Sequence, residues 1–178
     1  MNVENIKSSI RTIPDFPVKG ILFRDVTTLF KNPKALSELS DILYEQYKDK
    51  GITKVVGLES RGFVLGSILA YRLGAGFVLC RKPGKLPAEV LKESYSKEYG
   101  EDSIEIHTDA IGADDVVLIH DDILATGGSI NACCNLVKKF KPKKIFVNCI
   151  IELEELHGAE NIAADVEYSA TLKVSDRV

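Results

Sequence analysis

The sequence predicts an α/β fold, with one parallel sheet of about five strands and helices on both faces. Short apolar runs at 54–58, 76–80, 116–119 and 145–151 lack the polar alternation of a strand with one wet face, so they read as strands buried on both sides. Stretches of helical periodicity separate them, which makes neighbouring strands parallel through crossover connections. Two of the runs end in glycine-containing loops that open a helix, ESRG at 59–62 and TGGS at 126–129. Open α/β sheets bind ligands at that position, outside the carboxyl ends of their strands.

Length and composition set the bounds. A chain of 178 residues fits one domain, 1–178. A domain of that size buries roughly 70% of its unfolded surface, enough for a core without staples. With 45% hydrophobic residues, 28% charged residues and a net charge of -3, the composition is that of an ordinary globular protein rather than a nucleic-acid binder. The start, MNVENIKSSIRTIP, lacks the apolar core of a signal peptide, and no later run approaches the length of a membrane span, so a cytoplasmic location is expected. Cys80, Cys133, Cys134 and Cys149 show no C-x-x-C spacing and read as buried, reduced thiols.

Taken in order, Ile6, Ile10 and Ile13 recur at helical spacing, which predicts a short helix over the first dozen residues, broken by Pro14, Pro17 and Gly20. In FPVKGILFRDVT at 16–27, Ile21, Leu22 and Phe23 suit a short strand or extended segment. Asn32 and Pro33 read as N-cap and first helical residue. Leu36, Leu39, Ile42, Leu43 and Tyr47 then make one apolar face, ending near Gly51. The strand Lys54 to Leu58 leads through Glu59, Ser60, Arg61 and Gly62 into a helix that runs to Leu73 and closes at Gly74.

Gly76 to Cys80 is a further strand. RKPGKLP at 81–87 follows, a stiff basic loop with Arg81, Lys82 and Lys85. It suits either a solvated turn or the neutralisation of a polyanion. Val90 to Tyr95 and the alternating Ser103 to His107 form a hairpin whose tip, SKEYGED, is the kind of flexible loop that can close over a site. Ile130 to Phe140 is a helix. Lys138, Lys139, Lys141, Lys143 and Lys144 gather at its carboxyl end, where cations complement the helix dipole. Ile145 to Ile151 and Val166 to Val174 supply the last two strands.

The stretch VVLIHDDILATGGS at 116–129 concentrates the chemistry. Its strand is expected to end at Asp121 and Asp122. Thr126, Gly127, Gly128 and Ser129 then turn into the helix, with main-chain N–H groups and the positive end of the dipole placed to hold an anion such as phosphate. Carboxylates repel that same phosphate, so they must serve another part of the ligand. A molecule with a phosphate at one end and vicinal hydroxyls or a metal beside it satisfies both sets, which points to a sugar phosphate. The spacing is neither a Walker A loop nor a dinucleotide fingerprint.

DDILATGGS resembles the phosphoribosyl-pyrophosphate motif of type I phosphoribosyltransferases, in its adenine-type variant. Ala125 stands where relatives acting on 6-oxopurines usually carry an Asp that serves as a base. His120 occupies a usually aliphatic position, and Ser129 replaces a more usual Thr while keeping the hydroxyl. Further stretches match in order, so the resemblance covers nearly the whole chain. Leu22, Phe23 and Arg24 match the adenine pocket. ESRGF, with Arg61, is similar to the pyrophosphate loop. The 81–87 loop matches one that brings Arg81 to the neighbouring subunit's site, which implies a homodimer. Glu98 and Tyr99 match the EYG of the mobile catalytic loop. Glu152 and Leu153 match positions near the base, and Ala159 stands where an arginine often occurs.

The resemblance implies a fold with a small N-terminal hood (1–30, cap and adenine pocket) and a catalytic hairpin loop (88–107). It implies transfer of a phosphoribosyl group to adenine, giving AMP and pyrophosphate in purine salvage, with Mg2+ carried mainly by the substrate and no direct metal ligand. Asp121, Asp122 and Arg61 would be catalytic, with Glu98 as the acceptor of the purine proton. Phosphoribosyl pyrophosphate would be held by Arg61, Arg81, Lys82, Lys85, Tyr99, Asp121, Asp122 and residues Ala125, Thr126, Gly127, Gly128 and Ser129. Adenine would lie against Leu22, Phe23, Arg24 and Leu153. The alternatives are a xanthine-type or other purine phosphoribosyltransferase, or a non-catalytic regulator that senses phosphoribosyl pyrophosphate. The last would need a DNA-binding module for which the chain has neither spare length nor a basic recognition helix.

Overall fold

The computed structural model describes residues 3–97 and 100–175. Its frame is a five-stranded parallel sheet built from β3 (Lys54–Leu58), β4 (Gly76–Cys80), β7 (Val116–Leu124), β8 (Lys144–Leu153) and β9 (Glu167–Val174), in the order β4-β3-β7-β8-β9. β7 therefore lies at the centre, flanked by β3 and β8. This bears out the expected parallel sheet of about five strands.

Helices cover both faces. On one face lie α3 (Pro33–Tyr47) and α4 (Gly62–Leu73), with Leu39, Leu43, Leu65 and Leu69 packed on Val55, Leu118, Phe146 and Ile150. On the other, α5 (Gly128–Lys138) places Cys133, Leu136 and Val137 against Val56, Ile119, Val147 and Cys149. The hairpin β5 (Val90–Lys97) and β6 (Gly100–His107) joins that second cluster through Ile104 and Ile106. All four cysteines are free and buried, and all four belong to this second cluster. Each fully buried Leu or Ile adds about 1.5–3 kcal/mol of apolar transfer, so the two clusters supply the main drive for folding.

The N-terminal part departs from expectation. The helix α1 covers Val3–Ser8 alone, and Ile13 lies instead in β1 (Arg11–Pro14), antiparallel to β2 (Leu22–Asp25). The helical spacing of Ile6, Ile10 and Ile13 was coincidental in its last member. Thr12 and Ile13 are β-branched, and the chain turns back at 15–21 to give them a partner strand. Asp25 pins this cap. It accepts from Arg11 and from the backbone N–H and hydroxyl of Thr27, bonds that hold its carboxyl at a pKa of about 2. A short helix, α2 (Thr27–Phe30), links the cap to α3.

A buried polar chain crosses the first cluster. His120 is fully buried, with its Nδ1 3.1 Å from Asn148 Oδ1. Asn148 Nδ2 donates to Ser169 Oγ at 3.2 Å, which leaves Oδ1 as acceptor for the imidazole N–H. Ser169 Oγ lies 2.8 Å from the Tyr47 hydroxyl. Burial lowers the His120 pKa to about 4, so the ring is neutral at pH 7.

Candidate active site

Helix starts separate the structural elements from the functional ones. α3 begins with the Asn32 side chain accepting from the N–H groups of Lys34 and Ala35, and with Pro33 in its first turn. Such a cap stabilises by about 1 kcal/mol. α4 and α5 have no side-chain cap. Both start at carboxyl ends of central strands, so their first N–H groups face the region where a ligand would bind.

The β7–α5 turn is built from main chain. Gly127 caps α5 with φ +85°, a conformation that costs a side-chain-bearing residue about 1–2 kcal/mol. Ala125, Thr126, Gly127, Gly128 and Ser129 line a cavity of about 640 Å³, closed on another side by Tyr95 and Ser96 of the hairpin. A smaller cavity of about 140 Å³ is lined by Glu59, Lys82, Asp121, Tyr95 and Ser129, among others. Tyr95 and Ser129 line both, so the β7–α5 turn and the carboxylate Asp121 border one cleft.

The aspartates do not follow the end of their strand. β7 continues through them to Leu124, paired with β8 at Asp121↔Cys149 and again at Ile123↔Ile151 and Leu124↔Glu152. The apolar run stops at Ile119, which suggested an early end, but sheet pairing tolerates charge where the side chains have partners. Adjacent strand residues point to opposite faces, and the two carboxylates separate accordingly. Asp121 faces the small cavity on the α5 side. Burial and the neighbouring Asp122 charge push its pKa well above the usual carboxylate range. Asp122 is 3% exposed and pairs with Arg61 Nε.

Arg61 is half-exposed at the start of α4, and its guanidinium lies 5.8 Å from the Phe23 ring centroid. Phe23 in turn meets Phe16 edge-on at 5.1 Å. Phe23, Arg61 and Asp122 thus form one contiguous group, drawn from the cap, α4 and β7. The Glu59–Ser60 peptide before Arg61 is cis.

The basic loop is tied to the same edge. Arg81 Nε donates to Glu59 Oε2 at 3.1 Å, and the Lys82 backbone N–H donates to the same oxygen at 2.9 Å. These bonds lower the Glu59 pKa. Lys82 Nζ reaches the Tyr95 hydroxyl at 3.0 Å and pairs with Asp102 on β6. Lys85 has an exposed side chain, and its carbonyl accepts from Arg81.

Of the expected adenine contacts, Leu22 and Phe23 are part-buried on β2, and Leu153 packs against the first cluster. The Arg24 side chain turns away. It bonds Thr12 Oγ1 and lines a separate cavity of about 290 Å³ with Lys7, Ile10 and Leu172. What Arg24 can offer the cleft is therefore main chain. β2 pairs with β1 on one edge, and its other edge joins no strand among the described residues. Glu152 is buried against Tyr168 at 3.0 Å and Lys173 at 3.3 Å. Glu98 and Tyr99 lie outside the described residues. Sequence reasoning missed Tyr95 and Glu59 as lining residues. Glu59 sits in the same carboxyl-end loop as Arg61, a signal that could have found it, whereas Tyr95 carries none.

A family model described as the phosphoribosyl transferase domain matches residues 25–172. The chain is 63% identical over 172 residues to a protein of Bacteroides thetaiotaomicron named adenine phosphoribosyltransferase, covering 97% of this chain and 98% of that one. The crystal structure of adenine phosphoribosyltransferase from Rhodothermus marinus is similar with a TM-score of 0.91 at 46% identity, over 97% of this chain and 98% of that chain. The APRTase of Giardia lamblia, solved in complex with 9-deazaadenine, has a TM-score of 0.90 at 42% identity, over 98% of each chain.

Proposed function

This chain belongs to the phosphoribosyl transferase family, and we infer from its relatives and its cleft that it works in purine salvage. It transfers the phosphoribosyl group of phosphoribosyl pyrophosphate to adenine, giving AMP and pyrophosphate. The observation that carries this reading is the cleft itself, where an uncapped helix turn and a buried carboxylate share Tyr95 and Ser129 as common walls. A ligand with phosphate at one end and sugar hydroxyls beside it fits that division of charge.

Residues 125–129 anchor the 5′-phosphate, remote binding energy that orients the reacting centre. During transfer the bond from the anomeric carbon to pyrophosphate breaks and the bond to the adenine nitrogen forms. Positive charge develops on the ribose ring and negative charge on the leaving group. Asp121 and Asp122, leaving β7 on opposite faces, hold the hydroxyls and stabilise the cationic ring. Arg61 exchanges Asp122 for a pyrophosphate oxygen, and Lys82, already at the cleft, exchanges Asp102 in the same way. Glu98 accepts the purine proton, and Tyr99 takes part in holding phosphoribosyl pyrophosphate. The main chain of Leu22 to Arg24 reads the amino edge of adenine along the free edge of β2, over Phe23 and Leu153. Buried donors left unpaired by a 6-oxo edge would reject it. Ala125 supplies no carboxylate base for a 6-oxopurine.

Magnesium belongs with the substrate in this reading. Among the described residues no group of three or more His, Cys, Asp or Glu side chains converges. Asp121 and Glu59, which line the small cavity together, can hold hydroxyls or metal-bound water. When bound, the metal neutralises developing charge on pyrophosphate.

A homodimer with the Arg81 loop reaching the neighbouring site would cover exposed apolar residues on α4 and on the edge strand β4. Val64 and Tyr71 on α4 and Leu79 on the edge strand β4 are all exposed, Tyr71 by 88%. Among the described residues no helix is long and apolar enough to cross a membrane, and a cytoplasmic setting supplies both substrates.

The test is to incubate the purified protein with magnesium and phosphoribosyl pyrophosphate, offering adenine, hypoxanthine, guanine and xanthine separately. AMP from adenine alone is the expected result. Turnover of a 6-oxopurine would overturn the roles given to Leu22–Arg24 and Ala125. Binding of phosphoribosyl pyrophosphate without turnover would favour a sensor.

A further inference from the structure

The segment after β8 forms two 3-10 turns, Glu154–Leu156 and Gly158–Asn161, and lies directly behind the phosphate turn. Neither turn lines the 640 Å³ cavity, yet both ends of the second touch the loop that does. A Cβ built on Gly158 would stand 2.1 Å from the Ala125 carbonyl oxygen and 3.0 Å from the Gly127 nitrogen. A Cβ on Gly127 would in turn lie 2.7 Å from the Gly158 oxygen. Gly158 has no positive φ, so glycine is needed there for space and not for conformation. Asn161 Nδ2 donates to the Thr126 carbonyl at 2.9 Å.

These contacts fix the direction of two peptide planes. In a planar trans peptide the carbonyl and the following N–H point in opposite directions. The Ala125 and Thr126 carbonyls face the 158–161 segment, so the N–H groups of Thr126 and Gly127 point the opposite way, and both residues line the cavity. The Thr126–Gly127 peptide is flanked by a glycine and can rotate at little steric cost. A half-turn would replace a donor in the cavity by a carbonyl oxygen, which repels phosphate.

We propose that Asn161 and Gly158 are positioning residues for the 5′-phosphate, holding the Ala125–Gly127 peptides so that their N–H groups form the anion cradle. The inference rests on the phosphate-binding reading of the turn and adds a brace from a segment that does not line the cavity.

The experiment is calorimetric titration with two ligands, ribose 5-phosphate, which carries the 5′-phosphate, and pyrophosphate, which does not. Asn161→Ala should weaken ribose 5-phosphate about fivefold, the scale of one lost hydrogen bond. Asn161→Asp, which sets a carboxylate against the Thr126 carbonyl, should weaken it further. Gly158→Ala should do so most, because backbone must shift. Pyrophosphate affinity should stay within about twofold of wild type in all three, and the KM for phosphoribosyl pyrophosphate should rise while kcat at saturation holds. Asn161 is exposed, so its variants test the idea even if Gly158→Ala fails to fold. Unchanged ribose 5-phosphate affinity in the Asn161 variants overturns the brace, as does equal weakening of both ligands. If the wild type itself binds pyrophosphate but no ribose 5-phosphate, the phosphate reading of the turn falls instead.

Discussion

Two turns at the carboxyl edge of the sheet look alike in sequence and work by different means. Both the β3–α4 turn at 59–62 and the β7–α5 turn at 125–128 end a central strand and open an uncapped helix. In the first, the helix begins at Arg61 with ordinary right-handed backbone, and the charge is carried by a side chain paired to Asp122. In the second, no charged side chain is present, and a left-handed glycine exposes the main chain. A side-chain site can let go of one partner and take another, which suits a group that departs. A main-chain site is fixed by the fold, which suits a group that stays bound from substrate to product.

That contrast can be broken from either side. Asp122→Asn removes the carboxylate to which the exchange and the ribose contact are assigned in the proposed function, and kcat should fall by on the order of a hundredfold in steady-state assays, the scale of one transition-state electrostatic contact. An unchanged kcat would take Asp122 out of this role. Arg61→Lys keeps the charge but loses the planar fork, and the KM for phosphoribosyl pyrophosphate should rise about tenfold, from one charge-assisted bond lost. If Arg61→Lys behaves as wild type, the turn acts as a point charge only. Gly127→Ala should raise the same KM by at least about fivefold, because about 1 kcal/mol of left-handed strain is joined by the approach of the new Cβ to within 2.7 Å of the Gly158 oxygen, with kcat little changed. A fall in kcat with KM unaltered would show that the second turn also takes part in the chemical step.

The smallest effect on turnover at neutral pH is expected at His120, whose consequence lies in stability. Its folded pKa, about 4, is below the unfolded value of 6.5. Its contribution is therefore fully present above pH 6.5 and is lost as pH falls toward 4, by up to ~3 kcal/mol. Chemical denaturation of His120→Leu should show a flatter stability profile across that window than wild type. Equal slopes would mean that the ring finds a proton-tolerant partner in the folded state.

The sheet was legible because Val55, Val56, Val117, Ile119 and Val147 had to be buried on both sides, and continuous apolar runs say so directly. Asn32 announced a helix start through its own chemistry, and the carboxyl-end loops placed Arg61 and the 125–129 turn. The length of β7 was hidden, because the stability of Asp121 and Asp122 within a strand depends on Arg61 and on pairing with Cys149 and Ile151, which are remote in sequence. Ile13 was misread because periodicity over three residues cannot distinguish a helix from a strand that finds its partner across 15–21. Nothing in Gly158 or Asn161 signals a role, since their meaning lies in contacts with carbonyls about thirty residues earlier.

The four buried cysteines make the molecule its own gauge of opening. All sit in the cluster beneath α5 and the hairpin, and none lies among the side chains under α3 and α4. The hydrogen bond with Cys80 and burial raise the Cys133 pKa, burial raises that of Cys134 to about 11, and burial pushes that of Cys149 well above the ordinary thiol range. Only a thiolate reached by solvent reacts with an alkylating reagent. The rate of thiol alkylation in the native protein therefore clocks how often the layer carrying the 125–129 turn lifts from the sheet, and it is silent to motion of the opposite layer. Slower alkylation with ribose 5-phosphate bound would register ligand-induced tightening of that layer alone.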